Sequence, residues 1–174
     1  MILNYLLKKQ ILTYLLFVVL LTIGLFCYKD YGLTIDDEHY RINGLFYYNY
    51  IKDFFYLLIN YDLTELKILN QEIRKNPLSN HPAIFETILA LFSDITNSND
   101  TREIYNLSHL LNFSIYTLSL FFLYQIIFNR FKSYKIAIIS ILIIFLSPRF
   151  FAESFYNSRD IFFISIFIFY LYFV

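Results

Sequence analysis

The 174 residues are 58% hydrophobic and 22% aromatic but only 16% charged, with 17 Tyr, 21 Phe and no Trp. Soluble domains sit nearer half apolar and a quarter charged, so this balance points towards lipid. A formal net charge of zero argues against a nucleic-acid partner reached through a basic surface. The chain's one cysteine, Cys27, cannot form an internal disulfide and reads as a small hydrophobe inside an apolar run.

Ile11–Tyr28 carries no charge and follows Lys8 and Lys9, which predicts a spanning helix over residues 11–28. A cleavable signal peptide shares the basic start, but this apolar core is long, and Lys29, Asp30 and Tyr31 follow it instead of a small-residue cleavage pattern. The chain then turns polar: Lys29 to Glu103 holds twelve acidic and seven basic side chains. We expect residues 29–106 to form a long first external loop carrying its own short helices, because structureless loops of that length are rare. Within it, Ile84–Ile95 is mostly apolar, with Glu86 and Asp94 near its ends. That run is too short to span and predicts a helix lying at the membrane interface.

Leu107–Ile127 is the second spanning candidate, with His109, Asn112 and Gln125 as polar insertions. A basic turn through Arg130 and Lys132 leads to a third apolar run, which predicts a helix over residues 134–147 with Lys135 snorkelling. A second external loop, residues 147–160, precedes a fourth helix over 161–174. An apolar run that continues to the last residue suggests the N-terminal fragment of a longer protein. The fold class expected is therefore an all-α polytopic membrane protein with about four transmembrane helices. Short loops set orientation through their cations: Lys8, Lys9, Arg130, Lys132 and Lys135 fall on one side, the cytoplasmic one. Both polar loops then face outward.

Chemistry is sought where charge meets the membrane, since ionisable groups are costly there unless paired or used. Asp36, Asp37 and Glu38 are consecutive acids, followed by His39, Tyr40 and Arg41. Crowded carboxylates raise each other's pKa, which would suit one of them to act as a general base. A solvated acidic turn, or a helix N-terminus favoured by carboxylates, is the alternative. The second loop carries Arg149, Glu153, Arg159 and Asp160. Either the arginines anchor helix ends with the acids as partners, or they bind the phosphate of an anionic lipid head group beside an acid. His81, in the run Asn80-His81-Pro82, reads more readily as a turn than as a ligand.

These residues carry a resemblance. "IDDEHYRINGLFYYNYI" after a first membrane helix resembles the acidic motif in the first external loop of the GT-C membrane glycosyltransferases. It is similar above all to the bacterial protein-mannosyltransferase-like group, glycosyltransferase family 39, with Asp36, Asp37, Glu38, Arg41 and Gly44 on the pattern. "SHLLNFSIYTLSLFFLYQIIFNRF" resembles that group's second membrane helix, although Ser108 stands where the pattern has Arg. "SPRFFAESFYNSRDIFF" resembles its second external loop. The resemblance implies a polyprenyl-phosphate sugar as donor and a glycan, lipid or protein acceptor. It implies Asp36 as the base, with Asp37 and Asp160 as further site acids. Arg159 and Arg149 would bind the donor phosphate, and Glu38, Arg41, His81 and Glu153 would support. It leaves a divalent metal open, implies no other cofactor, and places the site at the periplasmic face of a bacterial inner membrane. A truncated, non-catalytic membrane protein is the main alternative. A transporter or flippase component is a further one, although that class would put ionisable groups at mid-membrane.

Overall fold

The computed structural model describes residues 2–75, 83–98 and 100–174, and among them it is helical with no strand. Its helices are α1 (Ile2–Cys27), α2 (Asp37–Ile59), α3 (Leu63–Lys75), α4 (Ile84–Ile95), α5 (Thr101–Phe131), α6 (Tyr134–Phe145), α7 (Pro148–Tyr156) and α8 (Ser158–Phe173). They divide into two compact units: residues 1–32 with 105–174, and residues 33–104.

The first unit is built on apolar helices. Phe17 and Leu20 of α1, Phe113, Tyr116, Leu120 and Tyr124 of α5, Ile141 and Phe145 of α6, and Phe155 of α7 form its core. A three-ring stack runs through it, with Phe155 4.2 Å from Tyr31 and 4.6 Å from Phe113 between ring centroids. Gly24 makes room for that stack, since a Cβ there would lie 2.0 Å from the Phe113 ring. Ser114, Thr117 and Ser119 of α5 return their hydroxyls to the carbonyls of Leu110, Phe113 and Tyr116. They therefore add no unsatisfied polar group to an apolar helix. Outward, the unit is apolar too: Ile11, Leu15, Val18, Leu118, Ile143 and Phe163 are all exposed.

Among the described residues one helix, α5, is long and apolar enough to cross a membrane. The helices α6 and α7, bent by 65° at their junction, add a second span only if taken as one broken element. The described apolar part of α1, Ile11–Cys27, is shorter, and α8 has 16 residues. All four expected helices are present, but length and composition qualify one or two of them as spans. At 1.5 Å per residue the 12-residue α6 reaches about 18 Å, short of a hydrocarbon core about 30 Å thick.

Several boundaries differ from the sequence expectation: α1 starts at Ile2 rather than 11, α5 runs on to Phe131, and α6 ends at Phe145. The helix α5 starts at Thr101 rather than near 107, because Asp100 caps it by accepting from the Arg102 N–H at 3.0 Å, with Glu103 in its first turn. The expected loop 147–160 is mostly helix. Pro148 opens α7 at its first position, where the missing N–H costs nothing. Asn157 then caps α8 by accepting from Asp160 N at 3.2 Å.

The second unit fills the expected first loop. There α2, at 23 residues, is far longer than the short helices anticipated, and both α3 and α4 pack on it. It ends in a paired reversal, with Asp62 N bonding Leu57 O at 3.0 Å, Tyr61 N bonding Leu58 O, and Tyr61 at φ 56°. Asp62 then caps α3 by accepting from Glu65 N. The helix α4 matches its expected bounds, Ile84–Ile95, and closes the same way at Asn97, φ 51°. Gly44 brings α2 against α4: a Cβ there would fall 2.5 Å from the Glu86 backbone. Gly44→Ala is therefore expected to destabilise this unit by about 1–3 kcal/mol, the usual cost of overpacking. Faster hydrogen exchange of α4 amides in the full chain would register it.

Candidate functional site

The acidic motif sits at the start of α2 in the second unit, and its two aspartates are used differently. Both Asp37 carboxylate oxygens are engaged by Thr34: Oδ2 accepts from its N–H and Oδ1 from its hydroxyl, each at 2.6 Å. Asp37 is the first residue of α2, and these bonds tie it to the turn that leads into the helix. Asp36 holds the N-cap position but makes no side-chain cap bond. Its Oδ2 accepts from the Tyr40 hydroxyl at 3.4 Å. Glu38 and His39 are exposed, and Arg41 is half-buried with its Nε desolvated. Leu33 and Ile35, on the approach to Asp36, are exposed, Ile35 completely. The carboxylate of Asp36 is thus exposed at a helix N-terminus, where the helix dipole favours negative charge, with exposed Leu33 and Ile35 preceding it.

The other expected site residues lie in the first unit, around the α7–α8 corner. Arg149 Nε donates to Glu153 Oε1 at 2.8 Å, an exposed i,i+4 pair on α7. The pair ties Arg149 to its own helix. Asp160 is held by Asn157, whose Nδ2 donates to its Oδ2 at 3.0 Å. Arg159 is half-buried beside it. Asp36 and Asp160 therefore belong to different units. His81 lies outside the described residues. Among the described residues no group of three or more His, Cys, Asp or Glu side chains is gathered that could hold a metal.

Several polar groups escaped the sequence reading as a site. Tyr48 of α2 donates to Asp94 of α4, and Lys52 Nζ sits 3.5 Å from the same carboxylate and 5.6 Å from the Tyr48 ring centroid. The Tyr48 bond, then the Lys52 charge, hold the Asp94 carboxyl below its ordinary value, while the Asp94 bond raises the Tyr48 phenol. A depressed acid contributes stability above its unfolded pKa, and that contribution disappears as pH falls through the lower, folded value. Protection of α4 should therefore weaken below about pH 4. Asp94→Asn should abolish that acid-side change, as pH-dependent hydrogen exchange would show.

Two buried groups in α5 had been visible only as polar insertions. His109 Nδ1 meets the Tyr28 carbonyl at 3.0 Å at the end of α1, which satisfies both the ring and a terminal carbonyl. Asn112 is wholly buried, and its amide has no hydrogen-bond partner among the described residues.

No protein-family model, no curated protein and no solved structure matches this chain.

Proposed function

We propose that this chain is the membrane-embedded and acidic-loop part of a glycosyltransferase that takes a sugar from a polyprenyl-phosphate donor on the non-cytoplasmic face. In this reading Asp36 deprotonates the acceptor hydroxyl, the oxygen displaces lipid phosphate at the anomeric carbon with inversion, and Arg159 stabilises the leaving phosphate. α1, the α6–α7 pair and α8 join α5 in the bilayer, giving the all-α polytopic arrangement of about four spans. Support comes from the motif resemblance and from one structural observation. Asp37 is consumed in holding the helix start, while the neighbouring Asp36 carboxylate is left exposed beside apolar side chains. A base that must meet a membrane-borne donor needs that position. The apolar outer surface of the first unit supports immersion in lipid, because contiguous bare apolar area is unusual on soluble proteins.

A second reading, a non-catalytic membrane protein, is favoured by the structural use of Asp37 and by the Arg149–Glu153 pair. Full-length protein in proteoliposomes, given radiolabelled polyprenyl-phosphate sugar and cell-envelope acceptors, separates the two. Label transferred from the lipid donor, and none from a nucleotide sugar, is the expected result. No transfer from any lipid-linked donor would favour the non-catalytic reading.

A further inference from the structure

The α2–α4 pair leaves large apolar side chains bare on its outer face. α4 turns Phe85, Glu86, Leu89, Ala90 and Ser93 inward, against an α2 face that buries Asn43 completely. Outward it turns Ile84 and Ile95, each 65% exposed, with Leu91 and Phe92. Against water the preference runs the other way. The outward residues form one stripe, since Ile84, Ile88, Leu91 and Ile95 recur at helical spacing.

α2 has a similar stripe. Ile51, Phe55, Leu58 and Ile59 are exposed on one side, and Asn49 and Asp53 are exposed on the other. Between the helices a groove of about 360 Å³ is lined by Tyr47, Ile51, Ala83, Ile84, Thr87 and Ile88. The Thr87 hydroxyl donates to the Ala83 carbonyl at 2.6 Å, so the groove's one side-chain hydroxyl proton outside Tyr47 is already committed. Asp94, at the edge of the face, is tied to Tyr48 and Lys52.

Only Thr96–Asp100 separate α4 from α5, and the first turn of α5 belongs to the same compact unit. α5 is the helix able to cross a membrane. Its apolar run begins at Leu107, about 9 Å along the axis from Thr101. We propose that the outer α2–α4 face rests in the hydrocarbon edge of the bilayer, with the groove receiving an acyl chain of a neighbouring lipid. This inference rests on the membrane reading above and extends it, turning much of the expected external loop into a lipid-seated platform. A helix pair so placed removes its bare apolar stripe from water, while Asn43, Glu86 and Ser93 stay buried between the helices.

The absence of Trp from the chain makes the test direct. Single-Trp variants Leu91→Trp and Phe55→Trp report on the face, Asn49→Trp on its polar side, and Leu118→Trp, exposed on α5, on the spanning helix. Each full chain is reconstituted in phosphatidylcholine vesicles with and without brominated acyl chains. Loss of emission at 91, 55 and 118 but not at 49 is the expected result. Quenching at 118 alone would overturn the inference and leave the membrane reading standing. No quenching at 118 would overturn that reading, and the inference with it. Positions 91 and 55 shielded from both bromolipid and aqueous acrylamide would mean a second protein copy covers the face, which also overturns it.

Discussion

Replacing Asp36 by Asn in the full-length protein is expected to lower glycosyl transfer about 10²–10⁴-fold, the usual contribution of a general base. The substitution keeps size and polarity, and Asn is as good an N-cap residue as Asp, so α2 should keep its start. Asp62→Asn is the matched control. Asp62 caps α3 by accepting from Glu65 N at 3.1 Å, a bond an Asn oxygen can also accept, so transfer should be nearly unchanged. Asp37→Asn belongs to a different class. It disturbs the two hydrogen bonds that Asp37 accepts from Thr34 and should loosen the start of α2, with a loss of activity that follows the loss of helix protection. Equal effects at 36 and 62 in the transfer assay would make the acidic cluster structural.

The second large effect is expected at Arg159. A lipid phosphate is anionic, and guanidinium grips it with paired planar hydrogen bonds that lysine cannot reproduce. Charge-assisted bonds contribute about 1.5–3 kcal/mol, so Arg159→Ala should raise the donor concentration for half-saturation roughly ten- to a hundredfold. Arg159→Lys should fall between Ala and the parent. Arg149 is expected to matter less for the donor, because Glu153 already engages its Nε. Its loss should instead weaken α7, modestly, since exposed i,i+4 pairs are worth a few tenths of a kcal/mol. Transfer rate against polyprenyl-phosphate-sugar concentration measures both. Unchanged half-saturation in Arg159→Ala would reduce that residue to a helix anchor.

What the sequence disclosed and what it hid have physical reasons. Uncharged runs mark helices however they are placed, which is why α1, α5, α6 and α8 were legible. The bounds of α4 were legible because an apolar run there meets a turn-forming Asn97, which adopts φ 51°. α2 was obscured by composition: Tyr, Phe and charges are mixed along Asp37–Ile59, and its apolar stripe appears only once the helix phase is known. α7 was hidden by reading four charges as loop, although Pro148 followed by Arg149 and Glu153 at i,i+4 spacing is a helix start with a stabilising pair. The need for Gly44 was hidden because it comes from the close approach of the Glu86 backbone, which the sequence does not carry.

The site was legible by residue type and not by role. Nothing in three consecutive acids says that Asp37 would be taken by Thr34, because that depends on the backbone geometry of the turn into α2. Nor could the sequence divide the candidates as the structure does, with Asp36 and Arg41 in one compact unit and Arg149, Arg159 and Asp160 in the other.

The account depends most on α5 crossing the bilayer with the acidic unit outside. The direct measurement uses Cys27→Ser as background and places single cysteines at Gln71, exposed on α3, and Asn129, exposed near the end of α5. Intact cells are treated with a membrane-impermeant thiol reagent, and permeabilised cells serve as the reference. The account predicts labelling at 71 in intact cells and at 129 only after permeabilisation. Labelling at 129 but not 71 in intact cells, or equal labelling of both, would contradict it.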